Sequence, residues 1–458
     1  MTTNRWLLRG GAVLAAAVLA AVAAPAEAGP AAARTKGGTK GDTARVSVGL
    51  DGAQPNGDST ALGLSANGRY ALFSSKASNL VPDDTNNASD VFLRDLRSGD
   101  IERVSVADDG SELNGPTTQA SLSANGRYVV FSSSATNAVP GQATNNAENV
   151  YVHDLWAGST ELITAGDPHP AQDQTGRGSY DPVISADGRY VAFASSRSDL
   201  VPGAKRGKQH VFVTDRWAGT TKQLDVGPDG STGSNNAFRP SISADGDVIG
   251  FTSAAGNLLP AAAPAGTAEL AAGLRWYSFY VYDQRTGSLT GGSLDTAGTL
   301  QPTGNDGVIS ADGRYAVYSL PEPGGLPPHA GVHLDVYLRD LREGTVTKVS
   351  APLPGTTTRG SSQEPAISAD DRYVVFSSDA DNLVPDLTTN NGNVLRRDLR
   401  TGRTEVVSVA EDGSVSQGGS SYGPFVDAKG DKVLFSAFDG TLVPGDTDNA
   451  SDVFLRRL

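Results

Sequence analysis

Short stretches of β-branched and aromatic residues alternate with turn residues along the chain from about residue 44 onward. One unit shows the pattern clearly, with such stretches at 182–185, 189–195, 211–214 and 221–226. Short apolar stretches bounded by Gly, Asp, Asn and Ser are typical of β-strands joined by tight turns. The pattern therefore predicts an all-β chain of short antiparallel strands.

This unit recurs seven times. The string SANGRY and its variants begin at Ser65, Ser123, Ser185, Ser243, Ser310, Ser368 and Asp427. An aromatic residue follows at a fixed distance in every copy, at Phe73, Phe131, Phe193, Phe251, Tyr318, Phe376 and Phe435. A four-stranded unit cannot bury both of its faces alone, so the repetition predicts a seven-bladed β-propeller with four-stranded antiparallel blades.

Two turn motifs recur with the strands. The first is Ala-Asn/Asp-Gly, in which Gly supplies the positive φ that a tight hairpin needs. The second starts at an Asp and has Gly four residues later, as at Asp95 and Gly99. Because an Asp side chain there can accept hydrogen bonds from the following N–H groups, these recurring acids are interpreted as structural.

The two ends of the repeat region are complementary. Residues 44–48 resemble the fourth strand of a unit, such as 103–106, whereas the last copy finishes at 452–456, which resembles a third strand. We therefore expect the N-terminal strand to join the last blade and to close the ring.

Composition and charge narrow the class of protein. The 458 residues include 54 Gly and 25 Pro, which suits a turn-rich β-protein. The chain has no Cys, which excludes disulfides and thiolate metal sites. Its formal net charge of −14 argues against a nucleic-acid or anionic-lipid partner, since both need a basic surface.

The N-terminus has the features of a secretory signal peptide. Arg5 and Arg9 precede an apolar run at 12–24, and Ala-Glu-Ala at 26–28 is a small-x-small cleavage site. We expect a signal peptide at 1–28, a flexible leader at 29–43 and the propeller at 44–458. An uncleaved anchor is the alternative. No later segment is long and apolar enough for a membrane span, so the sequence predicts a secreted protein, extracellular or periplasmic, and a monomer.

The repeat resembles a known family. SADGRYVAF at 185–193, DVFLRDLRSG at 90–99 and RVSV at 103–106 are similar to the PD40 or TolB-type WD40-like propeller repeat, and the resemblance covers about residues 44–458. It implies a propeller in a secreted bacterial protein. Such repeats occur in Tol–Pal components, in peptidases and in other secreted proteins. The chain departs from the family by having neither a TolB-like N-terminal domain nor a G-x-S-x-G elbow, so neither a Tol–Pal role nor peptidase activity is carried over.

The blade pattern places the connections on two different faces. The first and third connections of each unit are the tight turns, and we call their side the tight-turn face. The second and fourth, such as 79–90 and 107–118, are longer and share the opposite side, the long-connection face. Because recognition usually resides on loops held by a rigid scaffold, we expect the binding surface on the long-connection face.

Two loops have oxygen spacings like those of a calcium site, at Asp84–Asp90 and Asp446–Asp452. Neither has the Gly and distal Glu of an EF-hand, and Asx turns explain the pattern as well. His329 and His333 form a pair beside a Gly-Pro-rich segment that disfavours a helix, and we interpret them as surface histidines. The sequence therefore assigns no metal, cofactor or catalytic residue.

Two further features leave alternatives open. Trp156 and Trp217 lie in third turns of adjacent units, where they could form a sugar platform, although packing over the turn is the favoured interpretation. Insertions at 261–275 and 321–333 could shape a pocket or form disordered loops.

The leading functional hypothesis is a secreted, non-catalytic binding or scaffold propeller that engages a protein or glycan partner through the long-connection face. The alternative is an extracellular hydrolase or lyase acting on polysaccharide. Two or three carboxylates with His or Arg at the mouth of the central channel would favour the enzyme. A rim of Asn, Ser and Gly would favour binding.

Overall fold

The computed structural model describes residues 41–458 except 142–146, 166–177, 206, 261–276, 304–305, 322–332, 358, 386, 388–390, 417–418 and 449. The expected signal peptide, the leader as far as residue 40, the insertion at 261–275, nearly all of the insertion at 321–333 and His329 lie outside the described residues.

Seven four-stranded antiparallel sheets make up the described fold, in agreement with the predicted seven-bladed propeller. Each blade runs from an inner strand at the central channel to an outer strand, in chain order except in the last blade. The strands of blades 1–3 are β2 Ser59–Leu64, β3 Tyr70–Ser75, β4 Asp90–Asp95, β5 Ile101–Arg103; β6 Thr117–Leu122, β7 Tyr128–Ser133, β8 Asn149–Asp154, β9 Ser159–Leu162; β10 Ser179–Ile184, β11 Tyr190–Ser195, β12 His210–Asp215 and β13 Thr220–Gln223. Those of blades 4–6 are β14 Ala237–Ile242, β15 Val248–Ser253, β16 Ser278–Asp283, β17 Ser288–Gly291; β18 Gly307–Ile309, β19 Tyr315–Pro321, β20 Leu334–Asp340, β21 Val346–Lys348; β22 Ser362–Ile367, β23 Tyr373–Ser378, β24 Asn393–Asp398 and β25 Thr404–Val406.

The seventh blade is built from both ends of the propeller. It contains β26 Ser421–Val426, β27 Lys432–Ala437 and β28 Asp452–Arg457, and its outermost strand is β1 Thr43–Arg45. Strand β1 begins one residue before the expected 44–48 segment and ends earlier, although the Val46 N–H still donates to the Val453 carbonyl at 2.6 Å. A single 3₁₀ turn, Leu50–Gly52, then leads into blade 1. Sequence complementarity between the two ends thus predicted this closure correctly.

Neighbouring blades share their apolar cores. Phe131 and Val129 of blade 2 pack with Leu72 and Leu93 of blade 1, and all four side chains are buried. In blades 1–4 and 7, the fixed aromatic of the second strand stacks on one from the third strand, as Phe73 does on Phe92 with ring centroids 5.7 Å apart. The repeated aromatic therefore marks the contact layer of each sheet.

The Ser, Gly, Arg and Tyr of the first turn motif each make a structural contact. In blade 2, the Ser123 hydroxyl accepts a hydrogen bond from the Tyr128 N–H at 2.9 Å, and Arg127 pairs with Asp154 of the third turn at 2.7 Å. Gly188 in the corresponding turn of blade 3 has φ +79 and lies against the Tyr128 ring, where a Cβ atom would come within 2.2 Å of a ring carbon. The motif thus joins each blade to the next.

Backbone hydrogen bonds between these turns also link blades around the channel. The Ala186 N–H donates to the Ala244 carbonyl at 2.9 Å, and the Ala428 N–H of blade 7 donates to the Ala66 carbonyl of blade 1 at 2.9 Å. The ring is therefore closed at its inner edge as well as by the β1 clasp. Across the described residues, no helix has the length and apolar character required to cross a membrane.

Candidate binding site on the long-connection face

The inner strands of blades 3, 4, 6 and 7 contain a β-bulge at the same register, and blade 5 has a residue at the corresponding position. In strands β10, β14 and β22 the bulge residue is Asp181, Arg239 or Glu364, and each has a positive φ between 49° and 55°. Gly423 holds this position in β26, and Asp306 precedes β18 at the corresponding register. A non-Gly residue at positive φ is strained, so other contacts must hold these positions.

Hydrogen bonds from each blade to the next supply that restraint. The Arg239 N–H donates to Asp181 at 3.1 Å, the Glu364 N–H donates to Asp306 at 2.7 Å, and the Gly423 N–H donates to Glu364 at 2.9 Å. Burial raises the pKa of Asp181 and of Asp306. The carboxylates of Asp181, Asp306 and Glu364 thus lie at one level of the channel, and each accepts a hydrogen bond from a backbone N–H of the adjacent blade. Their spacing along the sequence could not show this grouping.

A pocket of about 480 Å³ opens beside this ring on the long-connection face, between blades 6 and 7. Inner-strand residues Gln363 and Tyr422 line it, immediately before the bulge positions. The remaining lining residues come from the connections and strand ends around them: Ser361, Ser377, Ser378, Asp379, Asn391, Gly392, Ser420 and Ser421. The pocket therefore presents hydroxyl and amide groups with a single carboxylate, and no described lining residue is basic.

Blade 7 departs from the repeat at this pocket. In blade 6, the Ser362 and Ser378 hydroxyls hydrogen-bond across the two innermost strands at 2.9 Å. The corresponding residue pair in blade 7 is Ser421 with Ala437, and the Ser421 hydroxyl has no hydrogen-bond partner among the described residues. Phe438, the residue after Ala437, is 45 % exposed.

An aromatic pair lies at the edge of the pocket. Phe438 stacks on Tyr422 with ring centroids 5.7 Å apart, and the Tyr422 hydroxyl lies 2.8 Å from the Ser451 hydroxyl. These contacts fix the Tyr422 ring against the pocket while part of Phe438 stays in solvent. The pocket thus combines hydrogen-bonding groups with an apolar edge.

The two loops with calcium-like spacing each contain an acidic cluster. In blade 1, Asp84 and Asp90 are joined by Glu112, with carboxylate oxygens within 4.8 Å of one another. Arg103 lies among them, 3.8 Å from Asp84 and 3.6 Å from Asp90, and pairs with Glu112. The Asx turn is also present, because Asn86 accepts the Ala88 N–H at 2.7 Å.

The second cluster has the same design. Asp446, Asp448 and Asp452 bring their carboxylate oxygens within 4.8 Å, and Arg45 of the clasp strand lies 3.7 Å from Asp446 and 3.1 Å from Asp452. In both clusters a guanidinium thus occupies the cationic position. Sequence spacing missed Glu112, which comes from the following connection.

The structure corrects the interpretation of the two tryptophans. Trp156 is 73 % exposed and Trp217 is 67 % exposed, so neither is packed over its turn, which was the favoured interpretation of the sequence. Each indole instead covers one arginine and leaves most of its surface in solvent. Of the histidine pair, His333 is exposed and precedes β20.

No protein-family model and no curated protein matches the chain. Among solved structures, it is similar to an oligogalacturonate lyase from Vibrio parahaemolyticus, with a TM-score of 0.53, 11 % identity and coverage of 92 % of this chain and 98 % of the lyase. It is also similar to TolB from Acinetobacter baumannii, with a TM-score of 0.39, 15 % identity and coverage of 76 % of this chain and 63 % of TolB.

A further similar structure is the β-propeller domain of the Trilobed protease from Pyrococcus furiosus, with a TM-score of 0.48, 11 % identity and coverage of 84 % of this chain and 91 % of that domain. The chain spans less than two thirds of the TolB structure. At these identities the lyase likeness supports the propeller fold and carries no activity with it. TolB-type and other propellers are thus among the similar structures, whereas the narrower PD40 assignment stays a prediction.

Proposed function

We propose that the protein is an exported, non-catalytic binding propeller that holds a glycan on its long-connection face. The pocket between blades 6 and 7 carries this proposal. Its hydroxyl, amide and carboxylate groups match a ligand with many hydroxyls, and the Tyr422–Phe438 pair offers an apolar edge for a sugar ring. Export rests on the signal peptide expected at 1–28.

The hydrogen bonding of the channel carboxylates supports a non-catalytic role. Asp306 accepts the Ser319 hydroxyl at 2.6 Å as well as the Glu364 N–H, and Glu364 accepts the Ser377 hydroxyl at 3.0 Å as well as the Gly423 N–H. These groups hold strained bulges of adjacent blades in place. Carboxylates with Arg239 at the channel are the arrangement expected to favour an enzyme, but the hydrogen bonds of these carboxylates to strained backbone support a structural role for them. A glycoside hydrolase uses a pair of carboxyl groups that exchange protons with substrate.

Binding of residues 29–458 to a panel of soluble polysaccharides and oligosaccharides tests the proposal, with affinity measured by calorimetry. Gln363→Ala and Phe438→Ala change exposed side chains at the pocket and its edge, and each is expected to weaken binding about three- to tenfold. Thr118→Ala is the matched control, because Thr118 is exposed at the same inner-strand position in blade 2.

Two results would contradict the proposal. The first is binding that both pocket variants leave unchanged. The second is cleavage of any glycan in the panel, detected as new reducing ends or as unsaturated products, which would favour the hydrolase or lyase instead.

A further inference from the structure

The tight-turn face has its own departure from the repeat. At the second position after the recurring Asp of the third turn, four blades have arginine: Arg97, Arg285, Arg342 and Arg400. Blades 2 and 3 have Trp156 and Trp217 at this position, each followed by Ala-Gly. Two adjacent blades therefore present the same large aromatic side chain at equivalent points of the ring.

Each indole has an arginine guanidinium against one face of its ring. The Arg127 guanidinium lies 4.8 Å from the Trp156 ring centroid, and the Arg189 guanidinium lies 5.0 Å from that of Trp217. Both arginines are fixed in turn by Asp154 and by Asp215. A cation–π contact on one face positions the ring and leaves the other face available.

A chain of such contacts connects the two blades. Arg127 also lies 4.7 Å from the Tyr128 ring centroid, and Arg216, the residue before Trp217, lies 4.9 Å from the same ring. Arg216 further pairs with Glu161 of blade 2 at 2.8 Å. The two tryptophans are therefore preorganised by one network of alternating aromatic and guanidinium groups, which lowers the entropic cost of binding.

The surroundings indicate the kind of ligand. Among the described residues, the other exposed large apolar side chains are Leu50 and Phe438, and both belong to the long-connection face. The tryptophans thus lack the contiguous apolar patch on which a protein interface core depends. An open indole face bordered by charged pairs suits a ligand with a flat apolar ring face and a hydroxyl rim.

We propose that Trp156 and Trp217 form a second glycan-binding site, on the tight-turn face, in which each indole stacks on one sugar ring of a polysaccharide. The site is separate from the pocket between blades 6 and 7 and does not require the function proposed for that pocket. If both sites are occupied, one molecule joins two glycan chains through opposite faces.

Affinity electrophoresis of residues 29–458 through gels containing single polysaccharides tests the second site, using neutral glucans and galactans and a polyuronate in separate gels. In each gel that retards the wild-type protein, the double variant Trp156→Ala/Trp217→Ala is expected to bind the polysaccharide at least tenfold more weakly. Trp156→Phe is expected to retain part of the retardation, because a phenyl ring preserves stacking. Arg97→Ala and Arg400→Ala are matched controls at the same turn position.

Two comparisons separate this site from the pocket. In the first, Gln363→Ala should leave unchanged the difference in retardation between the protein with both tryptophans and the double variant. In the second, bound polysaccharide should reduce acrylamide quenching of tryptophan fluorescence in the wild-type protein but not in the double variant. Retardation that the double variant retains in full would overturn this proposal and leave the pocket untouched. A wild-type chain that no gel retards, or tryptophan fluorescence that responds only to phospholipid vesicles, would also overturn it.

Discussion

Single glycine and aspartate residues in the tight turns make the contacts between turns and between blades. The Gly of the first turn supplies the positive φ of the hairpin, and in blades 2, 3, 4 and 7 its missing Cβ also admits the tyrosine ring of the preceding blade. The recurring Asp of the third turn likewise caps its own turn and pairs with an arginine of the first. Each motif residue thus contributes both to a turn and to a contact beyond it.

Gly188→Ala should therefore destabilise the protein more than Gly158→Ala. Both glycines have positive φ, at +79 and +65, but a Cβ at Gly158 would meet nothing within 4 Å. We expect a loss of about 1 kcal/mol for Gly158→Ala and about 3 kcal/mol for Gly188→Ala, the excess arising from overpacking against Tyr128. Chemical denaturation measures both values, and equal losses would contradict the interlocking role.

The acidic clusters make a second prediction at this scale. Because Arg103 and Arg45 already lie among the carboxylates, chelation should leave the melting temperature of the protein unchanged. Thermal unfolding with and without a calcium chelator checks this, and magnesium-loaded chelator is the control. A clear drop on chelation, reversed by added calcium, would show that a cation binds there.

At the scale of elements, the sequence predicted strands and turns well and the site poorly. The fixed aromatic and the SANGRY string identify the second strand of each blade, because packing demands the same residues in every copy. The walls of the pocket come from two blades, and Phe438, where blade 7 differs from the other copies, stacks on the lining residue Tyr422. Glu112 joins Asp84 only through the fold, so spacing along the chain could not reveal either arrangement.

The contact between the clasp strand and β28 includes a carboxyl group with a raised pKa, that of Asp452. Burial, together with the nearby Asp446, raises the pKa of Asp452 to about 6, although Ser47 and Arg45 act in the opposite direction. The folded state therefore holds this proton at pH values where the unfolded chain, with a pKa of about 3.9, has released it. Stability from this group is greatest near pH 4 and falls as the pH rises toward 6.

The free energy of unfolding of the wild-type protein should fall between pH 4 and pH 6. In Asp452→Asn this fall should be smaller by about 2 kcal/mol. Denaturation at several pH values measures the slope. Asp412→Asn is the control, since hydrogen bonds donated by the Ser414 hydroxyl and N–H lower the pKa of that exposed carboxyl and place its effect below pH 4. Identical slopes in wild type and Asp452→Asn would contradict the assignment.

Removing the clasp should weaken the whole ring. Deletion of Ala44–Gly49 exposes the edge of β28 and removes the Ser47 and Arg45 contacts to Asp452. We expect a marked fall in melting temperature, whereas deletion of residues 29–34 in the predicted leader should have no effect. An unchanged melting curve after removal of the strand would rule out a stabilising clasp.

At the scale of the whole molecule, two faces of one rigid ring carry different chemistry. The long-connection face has a polar pocket between two blades, and the tight-turn face has two open indoles on a network of arginines. The pocket lies beside blade 7, which closes the ring, and the indoles lie on the opposite face at blades 2 and 3. The central claim is therefore the closed ring that holds both faces in place.

A disulfide across the clasp tests that claim most directly. Thr43 and Arg456 are paired across β1 and β28, and the Arg456 guanidinium lies 3.0 Å from the Thr43 hydroxyl. Because the chain has no cysteine, Thr43→Cys/Arg456→Cys can form only one intramolecular bridge. The closed ring predicts complete oxidation in the native protein and a gain of about 2–4 kcal/mol over the reduced form. Two thiols that stay free under native oxidising conditions would contradict it.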